Sequence, residues 1–205
     1  QRRELEESLA EHGVTPVQLL ADNGVLSDRF TAVHATHLSP SEIQALGEAQ
    51  SFVCLCRTTE RDLGDGLPET AALVQAGAQL CVGVDSHCAE NGFEEVRAVE
   101  LDERSRLEQR HVAAEAGDLL RMATVDGYRS MGFSDSEYED RVWLRRSDPA
   151  LAGLNEAYAA DGILFGASPR GVERVTVAGQ PIVEGGVHPK IEEIVARYNG
   201  RLEQL

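Results

Sequence analysis

The sequence is short of positive charge: 19 lysines and arginines stand against 35 aspartates and glutamates, a net charge of −16. So acidic a chain repels phosphate backbones and anionic lipid, which argues against nucleic acid and membrane surfaces as partners. No stretch approaches the roughly 18 uninterrupted apolar residues of a membrane span. Four cysteines, Cys54, Cys56, Cys81 and Cys88, are too few for a disulfide scaffold. A Cys-x-Cys pair with no second pair is not a structural zinc knuckle either. They read as reduced, buried thiols of a cytoplasmic protein. The first residues offer neither a charged n-region nor an apolar h-region, so no secretory leader is expected. Three motifs are also missing. No lysine follows Gly64 and Gly66 at phosphate-loop spacing, no serine sits in a G-x-S-x-G turn, and no G-x-G-x-x-G follows a strand. A hydrolase triad and a dinucleotide site are therefore unsupported. What remains is a globular chain of 205 residues, 42% hydrophobic and long enough for a sizeable core.

The hydrophobic pattern changes period repeatedly. "QRRELEESLAEHG" predicts a helix that Gly13 stops. "VTPVQLLADNG" predicts a short one, capped by Thr15 with Pro16 in its first turn. Three apolar runs follow, Phe30 to Val33, Ser51 to Cys56 and "QLCVGV", and each predicts a short strand. Between the first two, "SPSEIQALGEA" has the Ser39/Glu42 spacing of a capping box. Between the second and third, a polar loop "RTTERDLGDGLP" leads to a helix closed by Gly77. "GFEEVRAVELDERSRLEQR" predicts a further helix, with opposite charges three and four apart on a solvated face. Short, wholly apolar strands alternating with helices read as a parallel sheet buried on both faces. An open doubly wound sheet and a segment of a (β/α)₈ barrel both fit, and three units cannot close a barrel. Beyond residue 110 the alternation stops. "VAAEAGDLLRMATVDGYRSMG" reads as helical and "SDSEYEDRVWLRRSDPALAG" is ambiguous. "VERVTVAGQPIVEGG" predicts a hairpin about Ala178-Gly179, and the end predicts an amphipathic helix with Ile191, Ile194, Val195, Tyr198 and Leu202 on one stripe.

Catalytic groups of parallel α/β folds gather where loops leave the carboxyl ends of the strands. That rule selects His34 and His37 in "VHATHLS", Arg57, Thr58, Thr59, Glu60, Asp62 and Asp65 in "RTTERDLGDG", and Asp85, Ser86 and His87 in "VDSH". Imidazole and carboxylate meeting from different strand ends could share a metal ion or a reacting water. The plainer readings are an imidazole hydrogen-bonded inside the sheet for His34 and a helix N-cap for Asp85. A carboxylate directly after "CVGV" is expected to be partly desolvated, which is costly without a cation, a metal or a helix N-terminus. His37 and His87 are expected in solvent.

"VHATHLSPSE", "TTERDLGDG" and "GVDSH" together resemble the later part of an amidohydrolase-superfamily deaminase. The middle segment is most similar to the N-formimidoyl-L-glutamate deiminases of histidine degradation. The resemblance implies a metal-dependent (β/α)₈ barrel with a small β-sandwich. Residues 1–132 would supply barrel strands six to eight, 133–188 part of the sandwich with its hairpin, and 189–205 a C-terminal helix. It implies that His34 polarises the substrate and stabilises the tetrahedral intermediate. It implies that Asp85 ligates the metal and carries a proton from the attacking water to the leaving nitrogen. Thr59 and Glu60 would line the substrate pocket. One divalent ion of the zinc type would be the cofactor, and a small-molecule amidine the substrate, hydrolysed to N-formyl-L-glutamate and ammonia. A cytoplasmic homo-oligomer is implied as well. The family's strand-one His-x-His pair and its strand-five His and Glu have no counterpart in these residues. The missing N-terminal half of the barrel is thus an expected partner, and the chain alone is expected to be inactive. Two alternatives stand beside this reading: a related deaminase of a purine or imidazolone ring, and a degenerate barrel without catalysis.

Overall fold

A computed structural model describes residues 2–88, 91–133 and 139–204. The chain forms two compact units, Gln1–Asp135 and Ser136–Leu205. It is a mixed α/β fold with an unclosed parallel sheet in the first unit and an antiparallel sheet in the second. Among the described residues no helix is long and apolar enough to cross a membrane.

In the first unit, α1 (Arg2–His12) ends at Gly13, whose φ of 75° only glycine adopts without strain. Helix α2 (Pro16–Asp22) starts where Thr15 caps the backbone of Gln18. Strands β1 (Thr31–Val33), β2 (Phe52–Leu55) and β3 (Gln79–Val82) pair in parallel in that order, with Val33 beside Cys54 and Cys54 beside Cys81. The crossover from β1 to β2 is α3 (Pro40–Glu48), held by a complete Ser39/Glu42 capping box. Two helices, α4 (Arg57–Leu63) and α5 (Thr70–Ala76), make the next crossover. Gly47 lets α3 lie against α5, because a Cβ there would enter the carbonyl of Ala76. Val53, Leu55, Leu46, Leu73 and Val99 are wholly buried between sheet and helices. At about 25 cal/mol per Å² of apolar surface, each such side chain contributes about 1.5–3 kcal/mol.

Three expectations change. The polar segment after β2 is helix α4 rather than a loop, since Arg57, Thr58, Thr59 and Glu60 turn inward and find partners there. Helix α6 (Gly92–Leu107) turns three of its carboxylates away from solvent. Glu95, Glu100 and Glu103 are buried while Leu101 and Leu107 are exposed. Glu100 accepts from the amides of His111, Val112 and Ala113 and from Arg104. Burial opposes its ionisation, but Arg104 and these amides outweigh it and hold the carboxyl below the usual range. Glu103 likewise accepts from the Ala71 amide and from Arg106. These carboxylates serve as caps for other elements, a role that charge spacing does not reveal. Residues 112–132 form two helices, α7 (Ala116–Met122) and α8 (Val125–Ser130). They break at Thr124, whose hydroxyl donates to the Leu120 carbonyl.

In the second unit, β4 (Arg141–Leu144), β5 (Val172–Val177) and β6 (Gln180–Glu184) form the antiparallel sheet. The ambiguous stretch therefore contains a strand, and residues 134–138 of it lie outside the described residues. Ala178-Gly179 makes the expected hairpin turn, both with positive φ. Arg174 stacks over Trp143, 5.2 Å from the ring centroid. Helix α9 (Ala159–Gly166) precedes β5, and α10 (Ile191–Leu202) carries the predicted apolar stripe, which is exposed.

Candidate metal centre

The three strands of the first sheet deliver one donor each to the same place. His34 directly follows β1, Cys56 follows β2, and Asp85 lies three residues beyond β3. Their ligand atoms all lie within 4.8 Å of one another. In register, the His34 amide bonds to the Cys54 carbonyl at 2.9 Å and the Gly83 amide to the Leu55 carbonyl at 3.1 Å. Beyond those bonds the backbone bends abruptly. His34, Ala35 and Asp85 have φ of 69°, 48° and 57°. Left-handed conformations of non-glycine residues cost of order 1–3 kcal/mol each and concentrate at functional sites. Here the strain aims an imidazole and a carboxylate at one point.

Around His34 the ring has two different neighbours. Its Nε2 faces Asp85 Oδ2 at 3.9 Å, and its Nδ1 faces Glu60 Oε1 at 3.4 Å. Nδ1 is buried and makes no hydrogen bond. The reading of His34 as an imidazole satisfied inside the sheet is therefore set aside. Glu60 is wholly buried, accepting from the Cys56 amide at 2.9 Å and from Arg57 Nη1 at 2.7 Å. This fixed carboxylate stands behind the imidazole, on the side away from Asp85. Arg57 in turn also bonds Asp102 through Nε and Nη2, and Arg61 reaches Asp102 and Glu94.

Asp85 is not desolvated: its side chain is 37% exposed, on the open end of the sheet. Nor does it cap a helix, since the N-cap of α6 is Asn91. Thr59 and Glu60 stand behind the site. The Thr59 hydroxyl donates to the Val84 carbonyl at 2.8 Å and so pins the turn that carries Asp85. His37 is half-buried with Nε2 unpartnered, and beside it Thr36 Oγ1 is also buried without a partner. Both line a cavity of about 390 Å³ that extends to Leu5, Thr15 and Glu42.

Sequence reasoning left Cys56 out of the site. Its position at the carboxyl end of a strand was the available signal, masked by its place in an apolar run. Gly83 keeps room for the thiols: a Cβ there would meet Cys54 Sγ at 3.2 Å and Cys56 Sγ at 3.6 Å. Cys54 is pushed up to about 12 by its bond with Cys56 and by burial, so it stays a thiol at neutral pH. Cys88, contrary to expectation, is exposed.

Nitrogen, sulfur and carboxylate oxygen are all zinc-type donors, and three protein donors are what a catalytic zinc ordinarily has. By donor type and convergence, His34, Cys56 and Asp85 form a candidate site for one divalent ion.

Residues 1–136 match the sequence profile described as "Amidohydrolase family". The chain is 32% identical over 92% of its length to formimidoylglutamate deiminase of Pseudomonas aeruginosa, and spans 44% of that protein. It is 33% identical over 88% of its length to 5-methylthioadenosine/S-adenosylhomocysteine deaminase of Teredinibacter turnerae, spanning 42% of it. Five further curated relatives carry that second name. The crystal structure of an adenosine deaminase from Xanthomonas campestris with bound zinc superposes on 98% of this chain. It has a TM-score of 0.84 and 25% identity, and the chain covers 47% of it. The chain thus spans under half the length of these relatives.

Proposed function

The chain belongs to the amidohydrolase family, and we propose that it forms the strand-six to strand-eight part of a metal-dependent deaminase barrel. Residues 1–132 are the barrel part and 133–188 the sandwich contribution, followed by the helix at 189–205. The observation that carries the reading is the meeting of His34, Cys56 and Asp85 at three consecutive strand ends.

The reaction is hydrolytic loss of ammonia from an amidine-type carbon, one bonded to two nitrogens. A divalent ion at the site supplies acidification of water and polarisation of a C=N bond at neutral pH. Asp85, partly exposed and held by the Thr59-pinned turn, would hold the ion through its carboxylate. The same carboxylate would accept a proton from water and return it to the departing nitrogen. His34, with its Nδ1 side turned to Glu60, offers Nε2 to the charge that builds on the substrate. Thr59 and Glu60 position these two groups.

Two substrate classes share that carbon. A purine ring is favoured by the names of most of the curated relatives and by the local charges. Arg57 and Arg61, the cations nearest the site on α4, are both committed to carboxylates, so neither is spare for an acidic substrate. N-formimidoyl-L-glutamate is the second reading, favoured by the Pseudomonas relative and by "TTERDLGDG". Its two carboxylates would need cations from the rest of the barrel. Ammonia release from a 5′-substituted adenosine and from N-formimidoyl-L-glutamate, by this chain joined with the remainder of its barrel, tests both. Expected are zinc-dependent turnover of one substrate and a loss of at least about 100-fold in Asp85→Asn. Equal rates with and without Asp85 would sink the reading.

A further inference from the structure

We propose that Cys54 and Cys81 form a dithiol site for trivalent arsenic, one row of residues beneath the strand ends. The deaminase reading uses neither thiol. Cys54 on β2 and Cys81 on β3 are register partners in the parallel sheet. Neighbouring strands run about 4.7–4.9 Å apart, and partners in register project from the same face. The two thiols therefore stand side by side, and they share a hydrogen bond. Cys56 also bonds to Cys54, but it lies two residues along the same strand, a backbone distance of about 6.5–7 Å. The row continues to Val33 on β1, which is exposed. Cys54 is half-buried and Cys81 buried, with Ser130 at the end of α8 also bonded to the Cys81 sulfur. A small molecule coming over β1 thus meets Cys54 first and Cys81 next.

Arsenous acid suits the pair. It is small and uncharged at neutral pH, so the chain's net charge of −16 does not repel it. Two sulfur–arsenic bonds form and two arsenic–oxygen bonds break; each thiol proton leaves with a hydroxide as water. Arsenic stays trivalent, so no oxidant is needed, and its third position keeps a hydroxyl. That hydroxyl has room because Gly83, two residues beyond Cys81, carries no side chain: a Cβ there would stand 3.2 Å from Cys54 Sγ. Two thiols on adjacent strands chelate, whereas the exposed Cys88 offers one bond only. Bound there, arsenic ties β2 to β3 beneath the strand ends that lead to Cys56 and Asp85.

Sodium arsenite is the probe. The full chain is titrated with it beside Cys54→Ser, Cys81→Ser, Cys56→Ser and Cys88→Ser, with circular dichroism as the check on folding. Native mass spectrometry is expected to show one arsenic per chain, a mass gain of one arsenic and one hydroxyl less two hydrogens. The adduct should persist in Cys56→Ser and Cys88→Ser. In Cys54→Ser and Cys81→Ser chelation is gone, and about 100-fold more arsenite should be needed. Should Cys81→Ser unfold, Cys81→Ala replaces it, and in the unaltered chain arsenite should shield Cys54 but not Cys88 from alkylation. An adduct that survives loss of Cys81 at low arsenite, an adduct without hydroxyl that needs Cys56, or no adduct on the folded chain would each overturn the proposal. None of these outcomes touches the deaminase reading, which zinc-dependent ammonia release by the completed barrel decides separately.

Discussion

Arg57 is the residue on which the back of the site turns, and removing it has a calculable cost. Its side chain is 1% exposed and joins two carboxylates. Glu60, fully buried, receives Nη1 at 2.7 Å; Asp102, with 14% of its side chain exposed, receives Nε at 2.9 Å and Nη2. In Arg57→Met the two acids fare differently. Asp102 keeps Arg61 at 2.5 Å and some solvent, so its loss is small. Glu60 keeps the Cys56 amide and the His34 ring 3.4 Å away but loses its arginine, and breaking a buried pair in this way costs about 3–5 kcal/mol. Arg57→Met/Glu60→Gln removes the uncompensated charge and is expected to recover about half of that. The interaction energy of the cycle should then reach about 1.5–3 kcal/mol. Urea unfolding followed by far-ultraviolet circular dichroism is the assay. Trp143 fluorescence would not serve, because that residue belongs to the second unit. A cost under about 1 kcal/mol for Arg57→Met, or additive single variants, would refute the view that the Arg57–Glu60 pair fixes the carboxylate behind His34.

Other expectations follow from local chemistry. Ser39→Ala removes the side-chain acceptor for the Glu42 amide and should cost about 1 kcal/mol, measured as a shift of the urea midpoint. Glu42 is pulled below the ordinary carboxylate range, because hydrogen bonds from Thr15 and Ser39 outweigh the burial that opposes them. Its contribution is therefore present above the unfolded value of 4.5 and lost as pH falls through the lower folded value. A Glu42→Gln chain should show that part of the acid-induced loss removed; an unchanged pH profile would contradict the assignment. Glu95 has the opposite sign: burial outweighs its bonds with Thr58 and Arg57 and raises it. Glu95→Gln should therefore gain stability at neutral pH and lose that gain below about pH 4.5. Gly47→Ala drives a methyl into the Ala76 carbonyl and should cost at least about 1–3 kcal/mol by separating α3 from α5; full stability in thermal unfolding would refute that packing.

How much could be read without coordinates depends on the range of the interaction. Local ones were legible. The Ser39/Glu42 box, the Gly77 stop, the Ala178-Gly179 turn and the three apolar strands each declare themselves within a few residues. Parallel pairing followed from runs with no polar face. Position at a strand's carboxyl end placed His34 and Asp85 among the candidates, and the family resemblance picked them out. Helix α4 and the buried face of α6 were not legible, because their polarity suggested solvent. Arg57 meets its partner Asp102 across 45 residues, and Glu100 caps amides 11 to 13 residues on. Charge spacing along a helix carries no trace of such partners.

The sequence alone thus determined the β-α alternation, the hairpin, and which strand ends carry imidazole and carboxylate, since periodicity and turn chemistry are properties of neighbouring residues. Only the tertiary structure decided that Cys56 joins them and that Glu60 and Thr59 stand behind the site. Those relations come from the register of three parallel strands, which fixes distances between residues that the chain itself keeps far apart.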